Sequence, residues 1–121
     1  MATVRYIVND VQKSVKFYTE LLDFEIGEVM GGAFAWVQRG DLTLWLAGPE
    51  SSAARPMPDG AKPQPGGWNR VVIEVEEIAG IVTTLKTSGA KFRNEIVKGP
   101  GGQQILVEDP SGNVVELFQK A

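Results

Sequence analysis

The 121-residue sequence contains neither cysteine nor histidine. Without thiols there is no disulfide, no thiolate metal site and no cysteine nucleophile, and a reducing compartment suits such a chain. Without imidazole, the Ser-His-Asp triad, the commonest general base near neutral pH and the commonest metal ligand are all lost. Long apolar runs are missing too. Nothing approaches the roughly 20 residues that span a bilayer, and no basic stretch leads into an apolar core near residue 1. A soluble, cytoplasmic protein with no membrane partner is the expectation. Positive charge is sparse and scattered, with twelve Lys and Arg against fifteen Asp and Glu for a net −3. With no basic stripe for a phosphate backbone, nucleic acid is not an expected partner. One domain is expected at this length, large enough to bury a core but too small for a separate regulatory module.

What the chain does have is an internal repeat. Val4, Val8, Asp10, Val11 and Val15 recur as Val71, Val75, Glu77, Ile78 and Val82 at a constant offset of 67. Each copy opens with an apolar-rich run suited to a strand, passes acidic residues able to cap a helix, and continues with apolar residues at helical spacing. Those are Val11, Val15, Tyr18 and Leu22 in the first copy and Ile78, Ile81, Val82 and Leu85 in the second, where Gly89 is placed to stop the helix. Three short runs follow in each copy, 24–30, 33–39 and 42–47, then 93–98, 103–108 and 113–118, separated by Gly- and Pro-rich breaks. The pattern is βαβββ twice, with module 1 over about 3–47 and module 2 over about 68–119, neither able to close a core alone.

Residues 48–67 lie between the copies and hold five of the seven prolines. They read as a linker or excursion loop with little to pack, and long loops of this kind often cover a site or reach a neighbouring subunit. Trp68 at the loop's end is suited to anchor it or to line a mouth. Gly99, Pro100, Gly101 and Gly102 connect two strands, so the helix N-terminus of a phosphate loop is missing and a hairpin, a candidate lid, is the better reading. Asp109-Pro110-Ser111-Gly112 has the residues of a tight turn. The polarity of Arg93, Asn94 and Glu95 suits a strand at an edge or rim.

Three motifs set in this frame carry a resemblance: V-x-D-V-x-x-S-V-x-F-Y-x-x-x-L over 8–22, GGWNR over 66–70 and E-D-P-S-G-N-x-x-E-L-F over 108–118. Together with the two βαβββ units they resemble the vicinal oxygen chelate superfamily, which includes glyoxalase I, extradiol dioxygenases, fosfomycin-modifying enzymes and bleomycin-binding resistance proteins. The resemblance covers essentially the whole chain. It implies an α+β fold of tandem βαβββ modules whose curled mixed sheets form a cup, usually assembled as a homodimer. It also implies where metal ligands would stand, on the first and last strand of each repeat: Thr3, a position near Leu44, Arg70 and Glu116. Only Glu116 has a ligand-type side chain. A transition metal takes three or four N, O or S ligands, and a fixed guanidinium at the third position would repel the ion. No metal and no cofactor are therefore expected, and Glu116 and Arg70 read as a charge pair in the old metal position.

If Glu116 points into the cup, alternation along the strands puts Arg5, Arg70 and Glu74 beside it, and Val4, Tyr6, Val8, Val71, Ile73 and Val75 beneath the helices. A metal-free enzyme would rest on Glu116 or Glu74, since an apolar setting favours the protonated acid and a nearby arginine the spectator anion. The plainer alternative is a carboxylate satisfied by Arg70 or Arg5. Phe34, Trp36 and Trp45 fall on the first repeat's strands; with Trp68 they are suited either to stack on a planar ligand or to fill core. The candidate binding set is thus Arg5, Phe34, Trp36, Trp45, Trp68, Arg70, Glu74 and Glu116. Three functions fit: sequestration of a planar aromatic or polycyclic molecule such as an antibiotic, as in drug resistance; a glyoxalase-type lyase or isomerase using Glu116 without metal; and a partner-binding module with a vestigial cup. The first accounts for the missing ligands and the tryptophans together.

Overall fold

Strand and helix alternate as the repeat requires in a computed structural model that describes residues 2–121. The first copy is β1 (Ala2–Ile7), α1 (Val11–Leu21), β2 (Glu25–Met30), β3 (Phe34–Arg39) and β4 (Leu42–Ala47). The second is β5 (Val71–Glu74), α2 (Ile78–Thr87), β6 (Lys91–Phe92), β7 (Val97–Gly99), β8 (Gly102–Glu108) and β9 (Val114–Lys120). The chain divides into two compact units, the first ending at Gly66 and the second beginning at Gly67. Each holds one mixed sheet: β1-β4-β3-β2 in the first, and β5-β9-β8-β6 in the second, where β7 also pairs with β8. The pairs β1·β4 and β5·β9 are parallel and the others antiparallel. This is the α+β architecture that the repeat predicts.

The helices start and stop for local reasons. Asp10, extended at the N-cap of α1, accepts from the Lys13 amide at 3.0 Å, and Glu77 does the same for α2 with Gly80. Each satisfies an amide that the helix itself leaves unpaired. Gly89, at φ 84°, ends α2, while α1 ends through Asp23 at φ 61° and a Phe24 amide bonded to the Tyr18 carbonyl at 3.0 Å. In unit 1, Val11, Val15, Tyr18 and Leu22 are buried along with Ala35, Val37, Leu44 and Leu46. Tyr18 meets Phe17 and Phe24 edge to face, with centroids 5.1 and 5.4 Å apart. In unit 2, Ile78, Val82 and Leu85 are buried with Ile73, Ile105, Val107, Val115 and Leu117; Ile81 is half-buried.

Two sequence expectations need correcting. The strand predicted over 93–98 is mostly absent: β6 ends just before it at Phe92, 93–96 belong to no strand, and β7 takes up only its last two residues. The Asn94 side chain takes the Leu106 amide at 2.9 Å, replacing a ladder bond and letting the chain step out of the sheet for four residues. Residues 48–67 are also less featureless than expected. Gly48 is buried, and a Cβ there would meet the Gly32 carbonyl at 2.5 Å and Val11 Cγ2 at 2.7 Å. A short 3-10 turn spans Ser52–Ala54, and the Met57 amide bonds to the Ala61 carbonyl at 2.7 Å.

Candidate functional site

The strand register of unit 1 decides which side chains share a face. Arg5 lies opposite Trp45, and Trp45 opposite Trp36, so these three form one row across β1, β4 and β3 on the face away from α1. One neighbouring row holds Ala47, Phe34 and Met30; the other holds Thr3, Thr43, Gln38 and Glu25. The alternate residues Ala35, Val37, Leu44 and Leu46 are fully buried on the opposite face, the one α1 packs against. Leu44, expected near a ligand position, is therefore a core residue, and Trp45 holds that place on the open face. Alternation fixes this once β1 and β4 are paired in register.

The rings on this face touch. Phe34 meets Trp45 edge to face at 5.9 Å, a diagonal cross-strand pair, and the Arg5 guanidinium carbon lies 4.8 Å from the Trp45 ring centroid. Trp36 lies across β2, its ring filling the space that a Cβ on Gly27 would need. Gly27 sits where the β2·β3 register shifts, and sequence reasoning passed it over. An isolated glycine inside a strand run is itself the signal for a bulge or a close approach.

Unit 2 presents a different open face. Val72 lies opposite Glu116 and Leu106 flanks it on β8. Glu116 is buried, 8% exposed, and its Oε1 accepts from both Nε and Nη2 of Arg70 at 3.0 Å. Arg70 Nη1 also donates to the Trp68 carbonyl at 3.3 Å. The Trp68 ring, 66% exposed, rests on Arg93, whose guanidinium carbon is 4.5 Å from the centroid. Arg93 follows the edge strand β6, as its polarity suggested, and its side chain turns back over the sheet. It donates to Glu108 Oε2 at 3.0 Å and to the carbonyls of Gly67 at 2.6 Å and Gly112 at 3.1 Å. Glu74 shares the open face but pairs with Lys120 at 3.5 Å, both side chains being well exposed.

The eight candidate residues thus fall into two sets. Arg5, Phe34, Trp36 and Trp45 form a mutually packed aromatic and cationic surface on one sheet. Trp68, Arg70 and Glu116 are linked on the other, with Glu74 apart from them. Val72, Arg93 and Glu108 belong with the second set and were not among the binding residues expected from sequence. Under the offset of 67, Arg5 corresponds to Val72, so Trp45 occupies in unit 1 the place that Glu116 holds in unit 2. The implied metal positions accordingly carry Thr3, Trp45, Arg70 and Glu116. These do not fit a metal: one carboxylate is present, and it already holds a guanidinium. Among the described residues no three acidic, His or Cys side chains converge.

A family model described as Glyoxalase/Bleomycin resistance protein/Dioxygenase superfamily matches residues 1–117. The uncharacterized protein YetH of Bacillus subtilis (strain 168) is 29% identical over 97% of this chain and 95% of its own length. Among solved structures, the antibiotic binding protein TnmS3 from Streptomyces sp. CB03234 superposes with a TM-score of 0.74 at 22% identity, covering 98% of this chain and 93% of that one. Lactoylglutathione lyase from Agrobacterium tumefaciens gives a TM-score of 0.73 at 18% identity, covering 98% and 92%. At these identities the two structures share the fold with this chain; their chemistry differs from one to the other.

Proposed function

Because the chain belongs to the Glyoxalase/Bleomycin resistance protein/Dioxygenase superfamily, we propose that it is a metal-independent binding protein that sequesters a planar aromatic or polycyclic small molecule, such as an antibiotic. The observation that carries this reading is the row Arg5, Trp45 and Trp36, with Phe34 edge-on to Trp45, on a sheet face that the helix leaves open. Flat rings fixed in one surface gain roughly 0.5–1.5 kcal/mol per aromatic pair beyond area burial, and they do so without ordering new side chains. A binding role is also what the description of TnmS3 as an antibiotic binding protein gives for that protein. The enzymatic alternative through Glu116 is less well supported. Glu116 is 8% exposed and its Oε1 already accepts from two nitrogens of Arg70, which gives the carboxylate a structural task that needs no substrate.

The protein is expected to act in the cytoplasm, as its cysteine-free composition suits, and as a homodimer. Strand β2 lies at a sheet edge with Ile26 and Met30 more than half exposed, a surface that a second copy could cover. The test is intrinsic tryptophan fluorescence titration against bleomycin-type, mitomycin-type and anthraquinone-type compounds, with mass spectrometry of the recovered compound. Saturable quenching with the compound intact is the expected result. A chemically converted compound would favour the lyase or isomerase, and no binding by any class would remove the sequestration reading.

A further inference from the structure

Three arginines reach the open sheet faces, and they are not equivalent. Arg70 is paired with Glu116 and Arg93 with Glu108, so each of those guanidinium charges is already met by a carboxylate. Arg5 is exposed and, among the described residues, its one interaction is with the Trp45 ring. The acids of β2, at the far edge of the sheet, are Glu25, one row away, and Glu28, at the register shift opposite Trp36. Three strand spacings of about 4.8 Å place both roughly 14 Å or more from Arg5, far outside ion-pair reach. A guanidinium whose neighbour is an aromatic ring and not a carboxylate has N–H donors in its plane to offer, and they match a carboxylate two at a time.

Resting on the proposed binding role, we infer that the ligand of this aromatic face is anionic: a planar aromatic whose carboxylate is held by Arg5 while its ring stacks against Trp45 and Phe34. A cationic ring system would meet uncompensated positive charge beside the tryptophan, and a neutral one would leave the Arg5 donors to water. Charge at this site therefore selects among planar compounds that the rings alone would accept about equally.

The test compares anthraquinone-2-carboxylate, 2-(hydroxymethyl)anthraquinone and 2-(aminomethyl)anthraquinone, titrated into the full chain near neutral pH with tryptophan fluorescence as readout. The carboxylate is expected to bind at least about tenfold more tightly than the alcohol, with the amine weakest, and added salt should shrink the gap. In Arg5→Gln the three affinities should come within about threefold of one another, so that the advantage of the carboxylate over the alcohol is lost. Arg5→Lys, which keeps the charge and loses the fork, should retain part of the preference. An undiminished carboxylate preference in Arg5→Gln, or amine binding as tight as carboxylate binding, would overturn the inference. Equal saturable binding of alcohol and carboxylate would sink the role of Arg5 and leave the aromatic site standing, whereas no saturable binding by any of the three would sink both.

Discussion

Asp23 shows how a single residue can hold an element in place at a cost. It adopts φ 61°, a region where an L side chain is strained by roughly 1–2 kcal/mol and glycine is not. The strain persists because the turn returns the chain so that Phe24 is buried against Tyr18. Asp23→Gly is expected to stabilise the protein by about 0.5–1 kcal/mol, the relief being partly offset by the larger backbone entropy of glycine in the unfolded chain. An unchanged or lower denaturation midpoint in urea would show that the aspartate makes a compensating contact. At the same scale the caps were legible in advance, since Asp10 and Glu77 stand just before apolar residues at helical spacing. The Arg70–Glu116 pair followed from the family resemblance, which puts both residues at former ligand positions. The pairing of Arg93 with Glu108 did not, because it depends on β6 lying against β8, and nothing local in 91–95 states that register.

Helix α2 carries a balance between two effects that a substitution can expose. Gly80 lies in its first turn, and the Glu77 carboxylate bonds the Gly80 amide while filling the space a Cβ there would take. Replacing a helical glycine by alanine gains about 1 kcal/mol in propensity, but here the alanine would displace the cap, which is itself worth about 1 kcal/mol. Gly80→Ala is therefore expected to change stability by less than about 0.5 kcal/mol, whereas Glu77→Ala should cost about 1 kcal/mol. Thermal unfolding of both variants checks this, and a full 1 kcal/mol gain in Gly80→Ala would mean that the cap relocates. Elements with a strong periodic pattern, α1, α2, β3 and β4, were readable from sequence. The break between β6 and β7 was not, because it arises from the Asn94 side chain bonding a strand amide 12 residues away. The placement of Trp36 over Gly27 is of the same kind: the glycine is visible in the sequence, but which ring lies on it is set by pairing.

Across the whole molecule the repeat has kept its scaffold and changed what the scaffold presents. The offset of 67 places Arg5 on Val72, and the parallel pairing then sets Trp45 against Glu116. One copy offers rings and a cation with no carboxylate partner among the described residues, and the other offers carboxylates neutralised by arginines. The repeat could be read from sequence, but the division of labour could not, because it rests on which residues of β4 and β3 face away from α1. One substitution in each copy should show which copy carries binding, at a similar cost in stability. Trp45 is 37% exposed, so most of its ring is buried, and Trp45→Ala should cost about 2–3 kcal/mol of stability while weakening a planar ligand roughly threefold to tenfold, the equivalent of one lost aromatic contact. Glu116→Gln strips a mostly buried arginine of its charged partner, with the two side chains 29% and 11% exposed. It should cost about 1–3 kcal/mol of stability and weaken the ligand less than Trp45→Ala does. Fluorescence titration beside urea unfolding of the same two variants reads both axes. If the order is reversed, with the ligand lost in Glu116→Gln and kept in Trp45→Ala, the binding surface lies on the second copy and the aromatic face of the first is structural.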